Sequence, residues 1–289
     1  MPLEQLVQYL VSGLTLGSVY AIVALGFTII FSVTGIINFA QGEFVMLGGM
    51  LSYWLLRGVG LPLLYACLLT VLVVSMVGVA LERLAIRPAR RAPIVSLIII
   101  TIGASILIRG VAGQLWGKDA VALPAFSGEA PVDVLGARIA PQSLWVLGIG
   151  AAAMVGLHVL LSYTMLGKAL RACAINRRAA SIVGIDPQAM SLFSFALSAG
   201  LGAAGGIVVS PLTMMSYDSG AMLGVKGFAA AAIGGFGSQL GAVGGGLLLG
   251  VLEALGAGYL SSSYKDAIAL VVLFIVLFVR AHGASGERA

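Results

Sequence analysis

Apolar residues run along this chain in long blocks rather than at alternate positions. No charge occurs between Glu4 and Glu43, and further apolar blocks cover about 61–81, 94–116, 143–166, 190–212, 222–236, 240–259 and 267–279. About 20 apolar residues in a helix cross a bilayer core of about 30 Å. The uncharged run from Gln5 to Gly42 would extend roughly 57 Å as one helix, at 1.5 Å per residue. That is too long for one span. The β-branched pair Val33-Thr34 followed by Gly35 is the natural break, so a second helix begins within "FSVTGIINFAQGEFVMLGG". The pattern predicts an all-α bundle of about nine crossings, with eight and ten equally compatible with hydropathy. The block at 222–236 is short, Gly- and Ala-rich and contains Lys226, which fits a half-helix or a tilted span.

Composition sharpens this reading. The 289 residues are 60% hydrophobic and 9% charged, with a mean hydropathy of +1.09. Soluble domains carry roughly a quarter charged residues, so the chain reads as one polytopic membrane domain, 1–289. The 40 glycines suit helices whose backbones approach closely. The N-terminus carries Glu4 and an apolar run too long for a signal peptide, which makes it the first membrane helix.

The net charge of +5 sits in short segments between apolar blocks, a topology signal rather than a nucleic-acid surface. Segment 82–91 holds Arg83, Arg87, Arg90 and Arg91 against Glu82. Segment 168–178 holds Lys168, Arg171, Arg177 and Arg178 with no acid. Segment 117–142 balances Lys118 and Arg138 with Asp119, Glu129 and Asp133. Two crossings apart, the basic segments belong in the cytoplasm and the mixed one outside. Arg280 and Arg288 put the C-terminus inside, and nine crossings put the N-terminus in the periplasm.

Catalytic patterns are missing from the sequence. It has no G-x-x-x-x-G-K-[ST], no G-x-S-x-G and no metal-ligand spacing around His158 or His282. His158 reads as a residue that hydrogen-bonds within the bundle. Cys67 and Cys173 fall near opposite membrane faces, so neither a disulfide nor a metal site is expected. The chain reads as a non-enzyme.

The polar residues inside apolar blocks carry more. On a helix, Asn38, Gln41, Val45, Gly48 and Ser52 share one face, while Glu43 points elsewhere with Phe39, Met46 and Met50. An ionisable group inside a membrane defaults to function, so Glu43 either lines a transport path or ties helices together. Asn38 and Gln41 pose the same choice. Lys226 opens its block, where snorkelling to the interface is the plain expectation. Glu253 is too deep to snorkel and is expected either to pair across the bundle or to sit near the external interface, and Arg109 is expected at an interface. "GIINFA" at Gly35 and "GVKGFA" at Gly224 share G-x-x-x-F-A, a weak internal echo that includes Phe228. The substrate-pathway set is thus Asn38, Gln41, Glu43, Ser52, Lys226 and Phe228.

Segment 166–188, "LGKALRACAINRRAASIVGIDPQ", reads as an amphipathic helix with Ala169, Ala172, Ile175 and Ala179 along its apolar line. It suits either an anionic lipid surface or the groove of a cytoplasmic partner.

"GLTLGSVYAIVALGFTIIFSVTGIINFAQGEFVMLGG", "LERLAIRPAR", "LGKALRACAINRRAASIVGID", "GVKGFAAAAIGGFGSQLGAVGGGLLLGVLEAL" and "YLSSSYKDAI" together resemble the LivH-type permeases of branched-chain amino acid ABC transporters. The resemblance implies an inner-membrane, multi-pass permease with the LivH/LivM-type fold that imports branched-chain or related neutral amino acids. It implies a sister permease (LivM-type), two cytoplasmic ATPases that bind ATP and Mg, and a periplasmic substrate-binding protein; this chain itself would bind no cofactor. Gly167, Arg171, Ala172, Asn176, Ala179, Ala180, Gly184 and Ile185 then fall in the ATPase-coupling loop. Gln41 stands where many relatives have His, and the tail lacks their Pro-Gly-Leu-type ending. Related alternatives are a urea or short-chain amide importer, an ion-coupled secondary transporter and a passive channel.

Overall fold

A computed structural model of the chain describes residues 3–128, 130–134, 136–259 and 265–286. Glu129, Arg288 and the 260–264 part of the "YLSSSYKDAI" motif lie outside the described residues.

Helix α1 (Leu3–Thr34) stops where the length arithmetic requires, with Gly35 at φ +71°. Helix α2 (Gln41–Arg57) follows a short irregular connector. Then come α3 (Leu63–Leu81), a π-helical turn (Glu82–Ile86), α4 (Ile94–Trp116) and α5 (Pro141–Tyr163). Two short helices, α6 (Met165–Ile175) and α7 (Arg177–Ile182), precede α8 (Pro187–Val209), α9 (Ser219–Gly234), α10 (Gln239–Tyr259) and α11 (Lys265–Gly286).

Six of the described helical segments are long and apolar enough to cross a membrane: α1, α3 with its π turn, α4, α5, α8 and α10. Helices α2, α9 and α11 occupy the remaining apolar blocks of the sequence. A small antiparallel pair, β1 (Val132–Val134) and β2 (Ala137–Ile139), lies between α4 and α5; apolar periodicity gave no sign of it.

Helix α1 is the hub. Its most apolar window is 83% buried, against 17% for that of α4. It packs on α10, α8, α9 and α5. Small residues make this possible: a methyl group at Gly250 would lie 2.3 Å from Gly17 N, and one at Gly246 would lie 2.4 Å from Ala21 N. The pairs Gly13/Gly17 and Gly246/Gly250, each four apart, thus bring two backbones into contact. Hydroxyls along α1 bond their own helix: Thr15, Ser18, Ser32 and Thr34 donate to the carbonyls four residues back, at 2.6–2.9 Å.

Charge sorts the ends of the bundle. Arg87 donates to the Gln188 side chain, and Arg87 and Arg90 line one cavity with Arg177, so the two basic segments lie side by side. At the other end Gln8 donates to the Arg138 carbonyl at 2.9 Å, and Gln8, Arg138 and Lys265 line a common cavity. The start of α1, the β pair and the start of α11 therefore share the end away from the basic segments.

Candidate functional site

The connector after α1 is held by its own polar groups. Thr34 Oγ1 accepts from Ile36 N at 3.1 Å, and Asn38 Oδ1 accepts from Ala40 N at 3.2 Å. Thr101 of α4 accepts from Phe39 N at 3.2 Å. Asn38 consequently lies before α2 rather than on its face, a correction to the helical-face expectation. Its turn geometry satisfies Oδ1 locally and leaves Nδ2 buried without a partner.

The remaining face division holds. Gln41 Nε2 donates to the Ser198 carbonyl at 3.1 Å, and Ser198 Oγ donates back to Gln41 Oε1 at 2.6 Å. Gly48 meets the Ala203 backbone of α8, and Ser52 Oγ bonds Gly48 O at 2.6 Å. Glu43 turns the other way. Its Oε1 accepts from Ser105 Oγ and Arg109 Nη2 of α4, both at 2.8 Å. Its Oε2 has no hydrogen-bond partner and faces the start of α9, where a methyl group at Gly220 would lie 2.2 Å away. A helix N-terminus favours such a carboxylate. Arg109, expected at an interface, instead reaches inward to Glu43. The signal missed was a partner two helices earlier in the chain.

A second buried charge group joins α1, α9, α10 and α11. Lys226 Nζ lies 2.9 Å from Glu253 Oε1 and 2.7 Å from Asp266 Oδ1, and it donates to Tyr20 Oη at 3.3 Å. Lys265 Nζ approaches Glu253 at 3.4 Å. Lys226 is 5% exposed, so the snorkelling expectation is overturned. Helix α9 begins at Ser219, which carries Lys226 two turns inward to a waiting carboxylate. Glu253 takes the first of its two expected fates and pairs across the bundle.

Of the six pathway residues, Asn38, Gln41, Glu43, Ser52 and Lys226 are buried, and only Phe228 is half-buried. Phe228 sits within a string of rings: Phe39 at 5.5 Å, Phe236 at 5.4 Å and Phe27 at 6.0 Å between centroids, with Phe31 5.2 Å from Phe236. The two aromatics of the sequence echo, Phe39 and Phe228, are thus neighbours, although the first lies in a connector and the second within a helix. His158 is exposed on α5 rather than turned into the bundle.

Segment 166–188 is two helices rather than one. Thr164 caps α6, accepting from Gly167 N at 3.0 Å. Asn176 interrupts the run by capping α7, accepting from Arg178 N and Ala179 N at 3.0 Å each. Gly184, at φ +89°, ends α7, and Ile185 N bonds Ala180 O at 3.0 Å. The inward line is Gly167, Leu170, Cys173 and Ala180, not the alanine line expected from one continuous helix. Gly167 admits no side chain, since a methyl group there would lie 2.1 Å from Leu160 O. Burial pushes the Cys173 thiol above its ordinary range, with Arg177 opposing. Outward stand Arg171, Ala179, Ile175 at 87% exposure, Ile182 at 85% and Val183 at 74%. Ile182 and Val183 were missed because continuous-helix spacing does not survive the Asn176 cap. Among the described residues no cluster of three His, Cys, Asp or Glu is placed to hold a metal ion.

The chain matches a family model and several known proteins. The family model described as "Branched-chain amino acid transport system / permease component" matches residues 9–277. The chain is 34% identical to the high-affinity branched-chain amino acid transport system permease protein LivH of Salmonella typhimurium, covering 97% of this chain and 95% of that one. It is 33% identical to the corresponding permease protein BraD of Pseudomonas aeruginosa, with the same coverage of each chain. Among solved structures, PsaBC from Streptococcus pneumoniae in complex with Fab aligns with a TM-score of 0.49 at 14% identity, covering 96% of this chain and 90% of that chain.

Proposed function

The chain belongs to the family of branched-chain amino acid transport permease components, and from that premise we propose that it is the membrane subunit of a binding-protein-dependent ABC importer for branched-chain or related neutral amino acids. The observation that carries this reading is the family match across nearly the whole chain. The exposed apolar residues of α6–α7, at the basic end of the bundle, fit its mechanical side.

In this proposal the chain is one domain of an inner-membrane complex, its C-terminus cytoplasmic and its N-terminus periplasmic. It works with a sister permease, two ATPases carrying ATP and Mg, and a periplasmic binding protein, and has no catalytic site of its own. Gly167, Asn176, Ala180 and Gly184 shape the coupling segment, and Ile185 follows its closing turn. Arg171, Ala172 and Ala179, joined by Ile175 and Ile182, meet the ATPase. Nucleotide favours the closed ATPase pair, and that differential affinity biases the spans between inward and outward arrangements. The cavity of about 550 Å³ between Phe31–Gly35 and Cys173–Arg177 is the space the coupling segment would cross when it moves. Phe228 faces the path, while Asn38, Gln41, Glu43, Ser52 and Lys226 act from behind it by fixing α2 and α9.

The test is ATP hydrolysis by the reconstituted complex with its binding protein. Leucine, isoleucine or valine is expected to stimulate it. Stimulation by urea or a short amide alone would overturn the substrate. Uptake that persists without the ATPases would overturn the machine. Charge reversal at Arg171 with a bulky replacement of Ala172 is expected to leave hydrolysis intact while uptake falls.

A further inference from the structure

The turn between α3 and α4 carries a group of arginines that transport, as proposed above, does not use. Arg83, Arg87, Arg90 and Arg91 line a cavity of about 430 Å³ with Pro88 and Gln188. A smaller adjoining cavity of about 70 Å³ adds Arg177 and the buried carboxylate of Glu82. Of the five arginines, Arg87, Arg90 and Arg177 share the smaller cavity with that single carboxylate, and among the described residues none of the five forms an ion pair. A topology signal needs only positive charge in the loop; it does not require the charges to converge on a cavity.

The backbone explains the convergence. At Glu82 the helix widens into a π turn, with Arg87 N bonded to Glu82 O at 2.7 Å. Such turns concentrate at functional sites. Pro88 and Pro93 then bound a tight reversal that returns Arg90 and Arg91 to the same cavity before α4 begins at Ile94. Arg87 is pinned by Gln188 at the start of α8, so the cavity joins the α3–α4 turn to the end of the α6–α7 segment.

The surroundings identify the ligand. Leu84 is 77% exposed, Ile94 61% and Val95 66%. These apolar side chains sit at the ends of two helices whose outer faces are largely apolar. Leu84 follows Arg83, and Ile94 and Val95 follow Arg91 by three and four residues, so the arginines fall where two apolar spans end, which in a bilayer is headgroup depth. Guanidinium groups match phosphate oxygens in pairs, and basic pockets between membrane helices take anionic lipid headgroups. A soluble phosphate would use the arginines only; an acidic protein surface would leave Leu84, Ile94 and Val95 uncovered. We propose that this cavity binds the phosphodiester headgroup of an anionic phospholipid, with its acyl chains along α3 and α4.

The test is native mass spectrometry of the purified full chain, released from mixed micelles with phosphatidylglycerol or phosphatidylcholine. Phosphatidylglycerol is expected to be retained and phosphatidylcholine lost; equal retention overturns the proposal without any variant. Arg83→Gln with Arg90→Gln and Arg91→Gln should lower phosphatidylglycerol retention roughly tenfold or more. The same three positions changed to Lys should keep most of it, and Arg57→Gln, at the far end of α2, should change nothing. Retention unchanged in the glutamine variant overturns the site, as does displacement of the lipid by inorganic phosphate at equal concentration, which would make it a soluble-anion site. A glutamine variant that keeps lipid but no longer copurifies with its ATPases would identify a protein-docking surface instead.

Discussion

Two buried charge groups hold this bundle, and they are built differently. At Glu43 a carboxylate 1% exposed meets one arginine that is itself 29% exposed, so the cation keeps an outlet and the anion has none. At Lys226 both central partners are sealed, with the lysine side chain 6% and Glu253 0% exposed, but each has a substitute. Asp266, 54% exposed, stands by for the cation, and Lys265 for the anion. The first group is a single tie with one exposed end; the second is a small network. Removing one partner of a buried pair costs more than the pair contributes, because the survivor is left uncompensated.

That asymmetry is open to direct attack. The largest effect is expected from Arg109→Met, which strands Glu43 with only Ser105 and should destabilise by roughly 3–5 kcal/mol, measured by equilibrium unfolding in a fixed detergent. Adding Glu43→Gln to that variant should recover most of the loss; a double variant no better than Arg109→Met would remove the stranded carboxylate as the cause. Lys226→Met comes next, at about 2 kcal/mol, because Lys265 still reaches Glu253. Glu43→Gln alone should cost only about 1 kcal/mol, since Arg109 can turn outward and Ser105 keeps an acceptor. Near-normal assembly of that variant with uptake lost would move Glu43 from a tie to the pathway. Asp266→Asn is the smallest, within about 0.5 kcal/mol; a larger loss there would mean the half-exposed acid is essential to the network.

The limits of reading the sequence follow from the same residues. The break after Val33-Thr34 and the opposed directions of Gln41 and Glu43 came from length and helical period, properties local to one segment. Asn38 escaped because it lies in the six-residue connector, 35–40, between Thr34 and Gln41, and hydropathy does not mark where a turn ends. The depth of Lys226 escaped because its helix starts at Ser219, in polar sequence outside the apolar block. Arg109 and Asp266 escaped for a different reason. Their partners lie on other helices, and no periodicity within one segment reports what packs across from it. Asn176 was readable in principle: an Asn before Arg-Arg-Ala-Ala is a capping signal, and heeding it would have exposed Ile182 and Val183.

One dimension of α1 has a mechanical consequence. Its 32 residues span roughly 48 Å at 1.5 Å per residue, well beyond an apolar layer of about 30 Å. Its last turn borders the cavity beneath α6 and α7, and its first turns reach Arg138 of β2. On the function proposed above, the two surfaces that soluble partners would approach are the two tips of a single rod. If α1 moves as a rigid rod, displacement at one tip should reach the other without relay through side chains, and spectroscopic labels placed near Thr34 and Gln8 should then shift in concert.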